Sequence, residues 1–231
     1  MKEKLKKITR FLFKLMLWFL GLSIFSVIVF RFIPVPITPL MLIRCSEQLI
    51  DGKDLKLKKD WVSIEKIAPT LPLAVFCSED QNFLNHNGID FESIEKALKD
   101  NKKRKIKRGA STISQQTAKN LFLWPSRSYL RKGLEVYFTV LIEFFWSKER
   151  IMEVYLNIIE MGNGVYGAEA AAQEFFKKPA SKLNKSESAL IAAVLPNPRK
   201  FNAGKPSAYT KKRQAWVMRQ MDLWGGKLEL N

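Results

Sequence analysis

Apolar and polar positions divide the chain into an apolar N-terminal run and a longer amphipathic region. Residues 11–30 read FLFKLMLWFLGLSIFSVIVF, in which Lys14 is the only charged side chain. A run of this length can cross the hydrocarbon core of a bilayer as one helix. Beyond residue 61, apolar side chains recur at three- and four-residue spacing, which is typical of amphipathic helices. The pattern predicts a transmembrane anchor over residues 11–33 and a mainly α-helical domain over residues 61–225.

Helical periodicity is clearest in several segments of the predicted domain, and Asp90 is placed to cap the first of them. These segments are FESIEKALKD (91–100), SYLRKGLEVYFTVLIEFFW (128–146), ERIMEVYLNIIEM (149–161), GAEAAAQEFF (167–176) and SESALIAAVL (186–195). No segment alternates as a strand, and loops that contain glycine are expected at 87–88, 109, 162–167 and 204. The expected fold class is therefore all-α, or mainly α.

The segments on either side of the anchor and of the domain are predicted to be tails or a linker. Prolines at 34, 36 and 39 and the charged run DGKDLKLKKD predict a linker over residues 34–60. Residues 226–231 form a predicted C-terminal tail. No small-x-small cleavage site follows the apolar run, which favours an uncleaved anchor over a signal peptide. The basic segment 1–10 is then a cytoplasmic tail, because positive charge marks the inner side, and the domain lies outside the cytoplasm.

Composition narrows the chemistry. The net charge is +17, from 39 Lys and Arg against 22 Asp and Glu, so nucleic acid, anionic lipid and diphosphate esters are the candidate partners. A domain outside the cytoplasm excludes nucleic acid. His86 is the only histidine, and Cys45 and Cys77 are the only cysteines. We therefore expect no metal site and no disulfide framework, and carboxylate chemistry becomes the leading option.

Two stretches concentrate polar side chains. Residues 78–90 read SEDQNFLNHNGID, and an acidic pair at 79–80 there is either reactive or a solvated helix end. Residues 109–120 read GASTISQQTAKN and present glycine, hydroxyls and two glutamines at a helix start. Such a start can receive phosphate or sugar oxygens, or it is an ordinary capped helix. A third stretch, RSYLRKGLE at 127–135, places a carboxylate one turn from two cations, which is by itself a surface ion-pair pattern.

In order and spacing, these stretches resemble the signature motifs of the peptidoglycan glycosyltransferases, glycosyltransferase family 51. The motifs are ED-x-x-F-x-x-H-x-G-x-D at 79–90, G-[GA]-S-T-I-[ST]-Q-Q-x-x-K-N at 109–120 and R-S-x-x-R-K-x-x-E at 127–135, with further blocks at 149–171 and 189–198. No K-T-G element of a transpeptidase domain is present. The likeness is therefore to the monofunctional biosynthetic enzymes of the Gram-negative type, and it covers about residues 61–225.

The resemblance implies a role for each matching residue. Glu79 is the expected general base, and Glu135 is the second catalytic carboxylate, which orients cations and sugar near the donor diphosphate. Lys119 and Arg127 are expected to bind the diphosphate. The other expected substrate-binding residues are Ser111, Thr112, Gln115, Gln116, Arg131, Lys132, Asn157 and Arg199. The expected supporting residues are Asp80, Phe83, His86, Gly88 and Gly109.

The resemblance also implies a fold, partners and a location. The fold is lysozyme-like, with a small membrane-proximal lobe after one transmembrane helix. The substrates are lipid II and the growing glycan strand, polymerised with inversion into β-1,4 linkages and with release of undecaprenyl diphosphate. Membrane lipid is expected to contact residues 32–43 and 122–124, and cell-wall synthesis or division proteins are further partners. No cofactor is tightly bound, although a divalent cation could assist. The domain is periplasmic, on a single-pass anchor in the inner membrane.

Two other functions fit parts of the pattern. A lysozyme-like cleft with glutamates also suits a hydrolytic or lytic glycosidase, but such an enzyme needs no cations for a diphosphate leaving group. A non-catalytic scaffold for cell-wall proteins would keep the anchor and the fold without needing Glu79.

Overall fold

The structure is a computed structural model, which describes residues 2–102, 109–126 and 128–230. It is mainly α-helical, which confirms the predicted fold class. Contacts group the chain into two compact units, Met1–Pro34 and Val35–Asn231. In chain order, the α-helices of the described residues are Lys2–Phe32 (α1), Pro39–Ile50 (α2), Thr70–Glu79 (α3), Phe91–Asn101 (α4), Ile113–Phe122 (α5), Tyr129–Phe145 (α6), Lys148–Ile158 (α7), Ala168–Phe176 (α8), Lys185–Val194 (α9) and Ala208–Leu223 (α10).

The N-terminal unit is a single helix, α1. An 18-residue window of this helix has a mean hydropathy of 2.2, so its length and composition suffice to cross a membrane. Large apolar side chains such as Phe11, Trp18 and Phe25 are exposed along it, as a lipid-facing helix requires. The helix starts at Lys2 and therefore includes the basic residues that the sequence analysis assigned to a separate tail.

Residues 34–60 are more ordered than a linker. Thr38 caps α2 by accepting a hydrogen bond from the Met41 amide, and Pro39 occupies the first turn, where a missing N–H costs nothing. The Gln48 side chain then accepts from the Lys56 amide at 2.6 Å and donates to the Lys56 carbonyl at 3.2 Å. The prolines thus position a helix start, whereas the sequence analysis interpreted them only as helix breakers.

A three-stranded sheet is present that the sequence analysis did not predict. Its strands are Lys58–Lys59 (β1), Glu160–Gly162 (β2) and Val165–Tyr166 (β3), in the order β1-β3-β2. β1 runs parallel to β3, and β2 runs antiparallel to it with a register shift. Two or three residues are too few to show alternation in a sequence, which is why the expectation of no strand was wrong.

The core of the larger unit lies around α3 and α5. Residues 71–77 of α3 are all buried, because α9 and α10 both pack against this helix. α5 packs against α6 and α7. Both cysteines are free thiols, and burial raises the pKa of Cys77 to about 11. A rigid, apolar α3 therefore carries its last residue, Glu79, to the surface of the core.

Candidate active site

Glu79 is the last residue of α3 and is partly buried. Its Oε2 accepts a hydrogen bond of 3.1 Å from Nε2 of Gln116, and its Oε1 accepts one of 3.2 Å from the Ser78 hydroxyl. The Tyr155 hydroxyl donates to Oε1 of Gln116 at 3.2 Å and so fixes the orientation of that amide. Both carboxylate oxygens are therefore held by neutral donors, and the carboxylate has a fixed position at the end of a buried helix.

Opposing effects act on the acidity of Glu79. Burial raises its pKa, and this effect outweighs the hydrogen bonds from Gln116 and Ser78 and the charges of Arg213 and Lys119, which lower it. Arg213 reaches this site from α10, where its Nη2 donates to the Ser78 carbonyl at 3.1 Å. A carboxylate with a raised pKa accepts a proton more readily than a solvated one, as a general base requires.

The loop after Glu79 is closed by Asp80 and His86. Nε2 of His86 lies 3.0 Å from Oδ2 of Asp80, and Nδ1 accepts from the Gly88 amide at 3.1 Å, so the ring is protonated on Nε2. The same Asp80 oxygen accepts from the Ile113 amide at 3.0 Å. A carboxylate at the N-terminus of a helix is favoured by the helix dipole. Asp80 thus connects the loop to the start of α5.

A second hydrogen bond joins the loop after Glu79 to the start of α5. Thr112 caps α5, and its hydroxyl donates to the Gly88 carbonyl at 2.6 Å. Gly88 has a φ of +85°, and a Cβ there would lie 2.6 Å from Cγ2 of Thr139 and 2.9 Å from Cγ of Glu143. Only glycine fits this position. Thr112 and Gln115 form a capping box, so these two residues have a structural role, and their contact with substrate stays a prediction.

The ion pair between Lys148 and Glu143 is partly buried and contacts the loop after Glu79. The Lys148 ammonium lies 2.8 Å and 2.9 Å from the two oxygens of Glu143, and it donates to the His86 carbonyl at 2.6 Å. It also lies 4.6 Å from the centre of the Phe83 ring, which is fully buried. Glu143 in turn accepts from the Ser114 hydroxyl. Phe83 and His86 therefore both contact Lys148, and their supporting role in the reaction stays a prediction.

One group of described residues could be considered for a metal. Ligand atoms of Asp80, His86 and Asp90 lie within 4.8 Å of one another. Each of them is already engaged, however, since Asp80 and His86 bind each other and Asp90 caps α4 through the Ser93 amide at 2.8 Å. The arrangement is that of a hydrogen-bonded loop, and it offers no open set of ligands.

A cavity of about 410 Å³ opens beside Glu79. Its walls are the loop after α3, the α4 helix and residues 109–112. Among the described residues that line it, carboxylates outnumber cations: Glu79, Asp80, Asp90, Glu92 and Asp100 occur with Lys96, Gly109 and Ser111. A Cβ at Gly109 would meet no described atom within 4 Å. An acidic, hydroxyl-rich cavity suits a neutral sugar with many donors better than a diphosphate.

A second cavity, of about 440 Å³, has the opposite charge. It is lined by Lys119, Arg131 and Arg44, and no carboxylate is among the described residues that line it. Burial lowers the pKa of Lys119, and its ammonium makes no hydrogen bond or salt bridge within the described residues. A partly desolvated cation without a partner gains from an anionic ligand. Lys119 lies one helical turn after Gln116, so α5 presents one residue to Glu79 and the other to this cavity.

Glu135 lies between two cations. Its Oε2 is 2.6 Å from Nη1 of Arg131, and its Oε1 binds the Lys132 ammonium. The carboxylate is buried, whereas Lys132 is half exposed and lines a third cavity with Ser111 and Gln115. Glu135 therefore fixes the directions of Arg131 and Lys132, and it has no contact with Glu79 in the hydrogen bonds of the described residues.

Two predicted substrate contacts lie elsewhere. Asn157 is fully buried, and its amide accepts from the Val62 N–H and donates to the Val62 carbonyl, both at 2.9 Å. This favours a structural role, since the side chain connects α7 to the segment before α3. Arg199 lies 3.6 Å from Glu47 and does not line the described cavities. Arg127 lies outside the described residues.

The apolar residues 122–124 are only partly available to lipid. The Phe122 ring stacks on Phe138 with 4.3 Å between centroids, and Leu123 is buried. Trp124 is the exposed member, and it lines the cationic cavity.

Several residues of the site were not found from the sequence. Ser78, Tyr155 and Arg213 surround Glu79 or its partner Gln116, and Arg44 lines the cationic cavity. Arg213 is separated from Ser78 by 135 residues, and no local pattern marks such a contact. Tyr155 lies within the family-like stretch at 149–171, but no neighbouring residue indicates that its hydroxyl contacts Gln116.

Known proteins provide the remaining comparison. A family model described as Transglycosylase matches residues 47–222. A protein of Bacteroides thetaiotaomicron named biosynthetic peptidoglycan transglycosylase is 60% identical over 219 residues, which cover 95% of this chain and 88% of that protein. Proteins of the same name from Bdellovibrio bacteriovorus and Pseudomonas syringae pv. syringae are 52% and 49% identical, over 96% of this chain and 88% and 94% of their own lengths.

Proposed function

The chain belongs to the transglycosylase family and is a peptidoglycan glycosyltransferase, and we propose that it joins the sugars of lipid II with Glu79 as the general base. The observation that supports this assignment most directly is the position of Glu79, which lies beside an acidic cavity and is held by Ser78 and Gln116. The cation Lys119 follows Gln116 by one helical turn on α5 and lines the second cavity. Base and cation are the two groups that displacement of a sugar diphosphate requires.

The proposed reaction is a single displacement. The 4-hydroxyl of the acceptor N-acetylglucosamine attacks C1 of the donor N-acetylmuramic acid, and Glu79 takes the hydroxyl proton. The bond between C1 and the diphosphate oxygen breaks, and undecaprenyl diphosphate leaves with the electron pair. Attack opposite the leaving group converts the α-linked donor into a β-1,4 linkage, so the configuration at C1 is inverted.

The two cavities have opposite charge, and we assign one substrate to each of them. The acidic cavity beside Glu79 receives the acceptor sugar, whose hydroxyls can donate to carboxylates. The cavity with Lys119 and Arg131 receives the donor diphosphate, whose charge grows as the bond breaks. Glu135 holds Arg131 and Lys132 in place and thereby acts as a positioning residue for that charge.

The membrane arrangement follows from the anchor. We place α1 across the inner membrane with its basic end in the cytoplasm, because four lysines and Arg10 precede the apolar run. The catalytic region then lies in the periplasm, where a polyprenyl-linked donor can reach it from the bilayer.

A polymerisation assay tests the proposal. Purified full-length protein is incubated with labelled lipid II, and the products are separated by length before and after digestion with a muramidase. We expect wild type to form strands and Glu79→Gln to lose at least about 100-fold in rate, the usual contribution of a general base.

The matched control is Glu174→Gln. Glu174 is a surface carboxylate that binds Lys56 and Lys58 and lines neither cavity, so this variant is expected to keep the wild-type rate. A Glu79→Gln variant that retained more than about a tenth of the wild-type rate would contradict the assignment of the base.

A further inference from the structure

The cationic cavity contains an arginine that precedes the transglycosylase match. Arg44 lies in α2, and the family model begins at residue 47. Together with Lys119 and Arg131 it brings three positive side chains to one concave surface of about 440 Å³. Like charges held together in a cavity raise one another's energy, so their grouping needs an anionic ligand or nearby carboxylates to offset it.

Two carboxylates lie within ion-pair distance of Arg44. Its Nη1 lies 2.7 Å from Glu47, whose side chain is 42% exposed, and its Nε lies 3.8 Å from Glu160. The pair with Glu47 is exposed at the glutamate, and a pair of this kind is weak and can rearrange, whereas Glu160 is buried. Within the described residues, Nε of Arg44 has no hydrogen-bonding partner although it is buried, and the same holds for Nε of Arg131. Both guanidinium groups of the cavity thus have unused hydrogen-bonding capacity.

One wall of the cavity is apolar. Leu40 from α2 and Leu123, Trp124 and Pro125 from the end of α5 and the following turn line it beside the cations. A ligand that matches both surfaces carries a compact multiple charge joined directly to a hydrocarbon chain. A polyprenyl diphosphate has this structure, and its two phosphates can accept hydrogen bonds from a planar guanidinium at two points.

We propose that Arg44 is a third diphosphate-binding cation of the donor site, and that Leu40 and Trp124 contact the first isoprene units of the same lipid. The inference rests on the proposed function, in which this cavity receives the leaving group. It makes α2 a part of the donor site. The three cations together are placed to bind the diphosphate more tightly as its charge increases.

Arg44 is poorly placed to serve an ordinary phospholipid headgroup. Its side chain is only 21% exposed and faces a cavity, whereas headgroup binding draws on exposed lysines and arginines on an open surface. The diphosphate of an isoprenoid lipid is therefore the ligand to which the geometry points.

Equilibrium binding to the full-length protein in neutral detergent tests this. The probe is a fluorescent undecaprenyl diphosphate, and the variants are Arg44→Gln and Arg44→Lys, with melting temperatures measured for each. We expect Arg44→Gln to weaken binding about tenfold, through the loss of charge-assisted hydrogen bonds. Arg44→Lys keeps the charge but removes the planar guanidinium with its paired donors, and we expect it to weaken binding about threefold. This second variant keeps the test valid if Arg44→Gln is unstable.

The control is Glu47→Gln, which breaks the ion pair of Arg44 but leaves its guanidinium in place. We expect it to bind the probe within about twofold of wild type. If Arg44 mattered only through its ion pair with Glu47, Glu47→Gln would reproduce the loss seen in Arg44→Gln, and that result would overturn the inference. Binding that is unchanged in both Arg44 variants would overturn it as well.

A competition experiment distinguishes an isoprenoid diphosphate from a phospholipid headgroup as the ligand. Unlabelled undecaprenyl diphosphate is expected to displace the probe at concentrations at least about tenfold below those of phosphatidylglycerol. Equal displacement by phosphatidylglycerol would overturn the inference in favour of a general headgroup site. A wild-type protein that neither bound the probe nor polymerised lipid II would overturn the proposed function together with the inference. An active wild type with unchanged Arg44 variants would overturn the inference alone.

Discussion

The side-chain amide of Gln116 donates a hydrogen bond of 3.1 Å to the carboxylate of Glu79, and the Tyr155 hydroxyl holds the other end of that amide. The bond stabilises the ionised form of Glu79, so it lowers a pKa that burial raises. A residue of the motif at 109–120 thus lowers the pKa of the proposed base, which lies in the motif at 79–90.

Replacement of Gln116 tests this tuning. Gln116→Met keeps the side-chain length but removes the donor, so we expect the pKa of Glu79 to rise and the acidic limb of the pH–rate profile to move to higher pH. The rate near neutral pH should fall roughly tenfold, the effect of a lost hydrogen bond to a charged group. Tyr155→Phe, which leaves the donor in place, should shift the same limb less. An unshifted limb in Gln116→Met would contradict the tuning.

The raised pKa of Glu79 also predicts how stability depends on pH. The folded state binds this proton more strongly than the unfolded chain, whose ordinary pKa is 4.5. Ionisation therefore costs the folded protein stability as the pH rises from below 4.5 through the raised value. Glu79→Gln removes that cost, so its melting temperature should exceed that of wild type at about pH 7.5 and approach it in acid.

Measurement is by thermal unfolding in one detergent across the pH range, with Glu174→Gln for comparison. The pKa of Glu174 is lowered to about 2 by its hydrogen bonds with Lys56 and Lys58. Its replacement should therefore have the opposite sign, with any loss of stability appearing at neutral pH and vanishing in strong acid. Equal pH profiles for Glu79→Gln and wild type would argue against a raised pKa.

Asp80 is expected to matter for stability more than its position next to the base suggests. Asp80→Asn leaves the volume unchanged but weakens the bonds to His86 and to the Ile113 amide at the start of α5. We expect a loss of about 2–3 kcal/mol in the free energy of unfolding, as for other buried hydrogen bonds to a charge. Denaturant titration measures it. Asp90→Asn, which alters the cap of α4 and the bond from the Asn82 amide, should cost about 1 kcal/mol or less.

Gly88→Ala should destabilise the loop severely. The residue has a φ of +85°, and the new methyl group would lie 2.6 Å from Cγ2 of Thr139. We expect a loss of about 2 kcal/mol or more, together with reduced activity, because the Thr112 bond to the Gly88 carbonyl must shift. Gly109→Ala is the matched control, since its Cβ meets no described atom within 4 Å and its cost should be small. Similar melting temperatures for the two variants would refute the steric argument.

Local chemistry explains which parts of the fold could be predicted. Asp90 caps α4, and the segment 186–195 falls on α9 (Lys185–Val194) as expected, because caps and apolar spacing act within a few residues. The small sheet escaped prediction because Lys58 pairs with Val165, more than one hundred residues away, through backbone bonds that no side-chain pattern encodes. The α2 helix was missed since three prolines concealed the start that Thr38 and Pro39 provide.

Some residues of the candidate site could likewise be predicted from local motifs, and others could not. Motif spacing identified Glu79, Gln116, Lys119 and Glu135, which the structure places on α3, α5 and α6. Glu79 lines the acidic cavity, and Lys119 lines the cationic one. Their roles in the reaction stay predictions until the variants are measured. Contacts made by Arg213 and Arg44 arise from the packing of α10 and α2, so only the folded chain reveals them.

The two bonds that join the loop after α3 to the start of α5 have a consequence for variation. Asp80 holds the Ile113 amide, and Thr112 holds the Gly88 carbonyl across a separation of 24 residues. The span between these fixed points can change in length or charge without moving the reactive carboxylate relative to its amide partner. Evolution or design can therefore adapt that span to new glycan acceptors while the chemistry stays intact.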